Sequence, residues 1–108
     1  MGYRSNIVIA INKEILARDL ISPCIPTVLK NEEHQDIEGN RYWVLEQWKW
    51  YPDYPEIEQI EDFFGELSDE EFGAVRVGEG DGDVQSWGDP YAFDIEVRTS
   101  IHSPAANV

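Results

Sequence analysis

RYWVLEQWKWYPDYPEIEQIEDFFGEL, residues 41–67, joins the densest aromatic cluster of the chain to its clearest helical pattern, and the remaining segments are placed relative to it. Residues 41–51 are rich in Tyr, Trp and Val and hold no Gly or Pro, the composition of a strand on a pleated, half-buried surface. They read as a central strand of a sheet. Side chains alternate across a strand, so Tyr42, Val44, Glu46, Trp48 and Trp50 fall on one face and Trp43, Leu45, Gln47, Lys49 and Tyr51 on the other. Neither face is polar throughout, which predicts cover on both sides, or cover on one and a partner on the other.

Pro52 lacks the N–H that a ladder requires and ends the strand. Asp53 to Glu56 has the D-x-x-E spacing of a capping box, with Pro55 in the first turn, where a missing donor costs little. A helix is expected from here. At about 100° per residue Ile57, Ile60, Phe64 and Leu67 share a face, Phe63 lies at its border, and Glu58, Asp62 and Glu66 form a column on the opposite side. Such a helix packs on the sheet with its acids in water.

Before this stretch, residues 3–11 alternate as a buried strand, with Ile7, Ile9 and Ile11 on one face and Val8 and Ala10 on the other. Asn12 caps a short helix expected to run to Ile21 through Ile15, Leu16 and Leu20, and Ser22-Pro23 breaks it. Pro26 starts another turn that carries Val28 and Leu29 inward, and Glu38-Gly39-Asn40 is the turn into the aromatic strand.

After the acidic helix, Ser68 to Glu71 repeats the capping spacing, but Gly73 leaves room for one turn only. Val75 and Val77 then alternate with Ala74 and Arg76 in a short strand. Residues 78–83 and 87–91 read as turns, and Phe93, Ile95 and Val97 alternate with Asp94, Glu96 and Arg98 in a last strand. These last two strands are placed to pair as a hairpin across a long loop. The order predicts one α+β domain over residues 1–101, a mostly antiparallel sheet of about four strands with helices packed on it, followed by a frayed tail at 102–108.

A chain of 108 residues with 42% hydrophobic content can build its own core and is not of the disordered class. The single cysteine, Cys24, excludes an intramolecular disulfide, and no apolar run has the length of a signal peptide or membrane span, so a cytoplasmic protein is expected. The net charge is −14. Residues 1–52 hold seven acids and six bases, whereas residues 53–96 hold fifteen acids and one base, Arg76. Solubility is the plain reading of such an excess. Direct binding to nucleic acid or to an anionic membrane is disfavoured, since both depend on basic side chains meeting phosphate.

The chemistry-bearing patterns are weak. Glu79, Asp81 and Asp83 have the spacing of the first ligands of a calcium loop, but Val84 stands where that loop requires Gly and Pro90 where it requires Glu. Cys24 with His34 would be a nucleophile and base only if the fold joined them, and Cys24 sits in an apolar, proline-flanked stretch that suits simple burial. His102 is expected near a loose, solvated end. Twenty-two acids make any carboxylate pair unspecific, and there is neither a phosphate-cradling glycine loop nor a C-x-x-C pattern. The sequence therefore points to no enzyme, metal or cofactor.

Aromatic residues carry more. Trp48 and Trp50 suit the sheet–helix layer, whereas Tyr54, Trp87 and Tyr91 fall in turns and are expected to be exposed anchors, a role that large rigid side chains often fill. Together with the acids Glu58, Asp62, Glu66, Glu79, Asp81, Asp83 and Asp89 they form the expected partner-binding set.

MGYRSNIVIAI, WKWYPDYPEIEQIEDFFGEL, EEFGAVRVGEGDGD and WGDPYAFDIEV together resemble small accessory proteins encoded by tailed phages. That resemblance implies a context in which a small acidic protein binds and disables a host protein, such as a defence or CRISPR component. Four functions are then weighed. The first is an inhibitor presenting the acidic surface of residues 53–96 to a basic site on a host protein. The second is a mimic of DNA. The third is a sponge holding a signalling nucleotide between Trp and Tyr rings, which requires some of Arg4, Arg18, Arg41, Lys49, Arg76 and Arg98 to converge. The fourth is a virion or structural component.

Overall fold

β1 (Ser5–Asn12) is apolar on both faces, a pattern that is stable only where both faces are covered. In a computed structural model, which describes residues 3–17, 25–80, 82–97 and 100–108, β1 lies at the middle of a five-stranded antiparallel sheet. Its partners are β3 (Asn40–Trp48) and β4 (Phe72–Gly78), with β2 (Gln35–Ile37) beyond β3 and β5 (Val84–Gly88) beyond β4. The fold is α+β, as expected. The aromatic strand β3 is an interior strand paired on both edges, as expected, but the middle place belongs to β1. β1 takes that place because Ile7 to Ile11 are buried on both faces, whereas β3 carries the exposed Glu46 and Gln47 before its last residue.

On one face, Ile7, Ile9 and Ile11 of β1, Trp43 and Leu45 of β3, and Phe72 and Ala74 of β4 meet α3 (Pro55–Gly65) through Ile57, Ile60, Phe63 and Phe64. Leu67 closes this layer. α1 (Lys13–Leu16) is capped by Asn12, whose Oδ1 accepts the Glu14 N–H at 2.8 Å, and it adds Ile15 and Leu16. Ala17 caps α1 in a turn, and residues 18–21 of the expected helix lie outside the described residues. α2 (Thr27–Lys30) follows Pro26 and buries Leu29, whose carbonyl accepts from Trp43 Nε1 at 3.0 Å.

Val8, Ala10, Tyr42 and Val75 on the other face are covered by Phe93, Ile95 and Ile101. This C-terminal layer replaces the long last strand expected from the alternation. Pro90–Phe93 is a 3₁₀ turn, and only the short hairpin of β6 (Glu96–Val97) and β7 (Ile101–His102) is extended. Gly73 lets that turn approach, since a Cβ there would stand 2.7 Å from Pro90 Cα. Tyr42 Oη donates to the Phe93 carbonyl at 2.9 Å and ties the layer to the sheet.

The pairing of β4 also differs from expectation. Its hairpin partner is β5, in a segment expected to be loop. Residues 102–108, expected to fray, fold back: Ile101 and Val108 exchange backbone hydrogen bonds at 3.2 and 2.8 Å, and Val108 and Ala105 pack on the second face. Their apolar residues had no period because they belong to a turn rather than a strand.

The β2–β3 hairpin turns through Glu38 and Gly39, both with positive φ, as a two-residue loop of this twist requires. Among the described residues, no helix is long and apolar enough to cross a membrane.

Candidate partner-binding site

Asp53 does not cap α3. The residue preceding the helix is Tyr54, whose side chain makes no capping bond; Pro55 occupies the first turn, and the N–H groups of Ile57 and Glu58 find the Tyr54 carbonyl. The acidic column forms as the spacing predicts. Glu58, Asp62 and Glu66 are all exposed, and no ion pair among the described residues includes them. Glu66 stands at the C-terminal end of α3, where the helix dipole opposes a negative charge.

Beside this column α2 and α3 leave a hollow of about 360 Å³, with Ile25, Pro26 and Phe63 beneath and Gln59, Asp62 and Glu66 at its rim. An apolar floor with two carboxylates at the edge suits a lysine or arginine, whose stem lies on carbon while its head stays at the rim. The sequence reading missed the contribution of Ile25 and Pro26, which no local period connects to α3.

Arg76 is withdrawn from the acidic surface. Its Nη2 meets Asp83 Oδ1 at 2.7 Å, its Nη1 donates to Ser5 Oγ at 2.9 Å, and its Nε donates to Gln85 Oε1 at 3.1 Å. Tyr3 Oη donates to Asp83 Oδ2 at 2.6 Å and accepts the Gly80 N–H at 2.6 Å, so this network staples the chain start to the β4–β5 loop. Hydrogen bonds from Arg76 and then Tyr3 hold the Asp83 carboxyl below its ordinary pKa, and the Asp83 carboxylate pushes the Tyr3 phenol up. Asp83 is thus a structural acid. Glu79 is exposed on the same loop, and Asp81 lies outside the described residues. Among the described residues no group of three or more His, Cys, Asp or Glu is placed to hold a metal ion.

Two of the three expected anchors are not exposed. Trp87 packs on the α3 side with ring centroids 5.8 Å from Trp50 and 5.3 Å from Phe64, because it pairs across the ladder with Ala74 and so shares the face of the main core. Tyr54 meets Tyr51 edge-on at 5.0 Å and is half-buried. Tyr91 is open to solvent. Trp50 is buried as expected, and Trp48 joins it half-buried.

The expected binding set does not form one patch. Glu58, Asp62 and Glu66 lie on the helical layer, Glu79 and Asp83 at the β4–β5 loop, and Asp89 and Tyr91 at the end of β5, where the chain crosses toward the second layer.

The arginines do not gather into a phosphate site either. Arg4 donates to the Gln47 carbonyl at 3.0 Å, Arg41 to Asp36 at 2.9 Å, and Arg76 is held as above. Arg41 holds the Asp36 carboxyl down to about 2. Lys30, His34 and Arg41 do line one hollow with Trp43, but Trp43 is only 2% exposed and offers no ring face for a base. Arg18, Cys24 and Arg98 lie outside the described residues. No family model matches the chain, and searches of curated proteins and of solved structures found no match.

Proposed function

We propose that this protein is a non-enzymatic binding protein that presents the outer face of α3 to a basic surface of another protein. The single observation that supports it most is the column Glu58–Asp62–Glu66, which enters no ion pair among the described residues, beside the α2–α3 hollow and in a segment whose one base is held at Asp83. The hollow takes one lysine or arginine of the partner, and the column adds attraction around it. The resemblance to phage accessory proteins makes a host protein, such as a defence component, the class of partner to which this reading applies.

Charge spacing favours a basic protein as the target over strict imitation of DNA. Residues four apart on a helix rise about 6 Å along its axis. Each DNA strand carries a phosphate about every 3.4 Å, so the column has roughly half that density. Capture on the immobilised protein from a host lysate, at low and at high salt, tests the reading. Basic proteins retained at low salt and released at high salt are expected, because exposed charge contacts are screened within about 10 Å at 0.1 M salt. Retention of no basic protein at low salt would refute it.

A further inference from the structure

We infer that β5 and the groove beside it form a second binding site, which takes an extended, basic polypeptide segment of another protein as an added strand. β5 is an edge of the sheet. The Gly78 N–H bonds to the Asp83 carbonyl and the Asp89 N–H to the Phe72 carbonyl, both at 2.9 Å, which fixes the phase of the antiparallel ladder. By alternation residues 83, 85, 87 and 89 face β4, while Ser86 and Gly88 aim N–H and C=O outward and Val84 aims its C=O outward.

Edge strands are usually blunted by lysine, proline, a bulge or brevity. β2, the opposite edge, has three residues and carries Asp36 in its pairs with Lys13 and Arg41. β5 has five residues, VQSWG, and none of these devices.

A groove of about 250 Å³ runs on the side of β5 to which Val84 and Ser86 point, floored by Val75 and Ile95 and bordered by Pro90, Tyr91 and Val97. Three of the four large hydrophobic residues exposed among the described residues border it: Val84 at 48%, Tyr91 at 77% and Val97 at 38%. An incoming strand would pair its backbone with Ser86 and Gly88 and place every second side chain in this groove, the mode in which main-chain bonds give affinity and alternate pockets give specificity.

The charge decides the occupant. A second copy would bring another −14 to the same edge, whereas a basic strand meets the exposed acids Glu79 and Asp89 that bracket β5. This site is separate from α3 and does not rest on the reading given there.

The probe is a capped peptide of alternating valine and threonine, five residues long, with a lysine at each end, added to the isotope-labelled full chain. Hydrogen exchange at the Ser86 and Gly88 amides should slow by about tenfold or more, with resonance shifts at Val84, Tyr91 and Val97. The same peptide with a central proline, or with glutamate ends, should bind at least about tenfold more weakly, as should the intact peptide to Val84→Lys or Tyr91→Ser, whose melting temperatures should stay unchanged. Neutralising the α3 acids should leave peptide binding intact. No protection at Ser86 and Gly88, equal binding of the proline peptide, or protection that rises with protein concentration alone and reports a second copy, would each overturn the inference.

Discussion

Arg76 Nη2 stands 2.7 Å from Asp83 Oδ1, and this contact takes up the single positive charge between residues 53 and 96. One pair thereby closes the β4–β5 loop, and among the described residues no ion pair includes Glu58, Asp62 or Glu66. Because the Arg76 side chain is 11% exposed and also serves Ser5 Oγ, Arg76→Ala should destabilise the fold by about 2 kcal/mol. Urea denaturation measures it, and Asp83→Asn should cost less because the Arg76–Ser5 bond survives.

The same network sets a pH window. The folded-state pKa of Asp83 is depressed, so its stabilisation is present above the unfolded value of about 3.9 and is lost as pH falls through the folded value. Tyr3 is raised, so its contribution is present below about pH 10 and is lost as pH rises through the folded value. The Gly80 amide, which donates to Tyr3 Oη, should therefore keep one chemical shift between about pH 4 and 10 and move outside both limits. A shift centred near neutrality would contradict this coupling.

Two buried tryptophans should respond differently to the same change. Trp43 Nε1 donates to the Leu29 carbonyl, whereas Trp50 Nε1 finds no acceptor among the described residues. Both substitutions by Phe remove the same volume, but only Trp43→Phe loses a hydrogen bond and only Trp50→Phe removes an unpaired buried donor. Trp43→Phe should be the more destabilising by about 1 to 2 kcal/mol in chemical denaturation.

Gly73 holds the second layer close. A Cβ at this position would meet Pro90 Cα at 2.7 Å and the Asp89 carbonyl oxygen at 2.8 Å, both backbone atoms with little freedom to yield. Gly73→Ala should therefore cost about 1 to 3 kcal/mol and loosen the Tyr42–Phe93 bond, raising hydrogen exchange in the C-terminal layer before the α3 layer.

The sequence showed most clearly what local period records. Ile7, Ile9 and Ile11, the α3 face of Ile57, Ile60 and Phe64, the Asn12 cap and the Glu38-Gly39 turn were all legible because each depends on neighbours within a few residues. Trp48 was sorted to the wrong face. Between Ser5–Trp48 and Ile7–Leu45 the register slips by one residue, Gln47 takes φ +60° with its N–H on Asn6 Oδ1, and the alternation reverses from there on. A bulge of this kind depends on the facing strand.

The C-terminal layer was missed for a related reason. Phe93, Ile95 and Ile101 are anchored by Tyr42 and Val8, far away in sequence, and the alternation of Phe93 with Ile95 belongs to a 3₁₀ turn followed by a left-handed Asp94 rather than to a strand. Of the site, the Glu58–Asp62–Glu66 column was legible and the hollow beside it was not, since its floor comes from Ile25 and Pro26. Trp87 was misread as an anchor because its alternation partner, Ala74, is known only once β4 and β5 are paired.

The most direct test of the acidic α3 face is the combined variant Glu58→Gln, Asp62→Asn, Glu66→Gln, compared with the wild type by melting temperature and by quantitative capture from one host lysate. Like charges four apart on a helix destabilise it by about 0.2 to 0.5 kcal/mol per pair, so removing the column should leave stability unchanged or slightly raised. The account predicts that salt-releasable basic proteins found on the wild type are lost from the variant. Capture of the same proteins in the same amounts by both would contradict it.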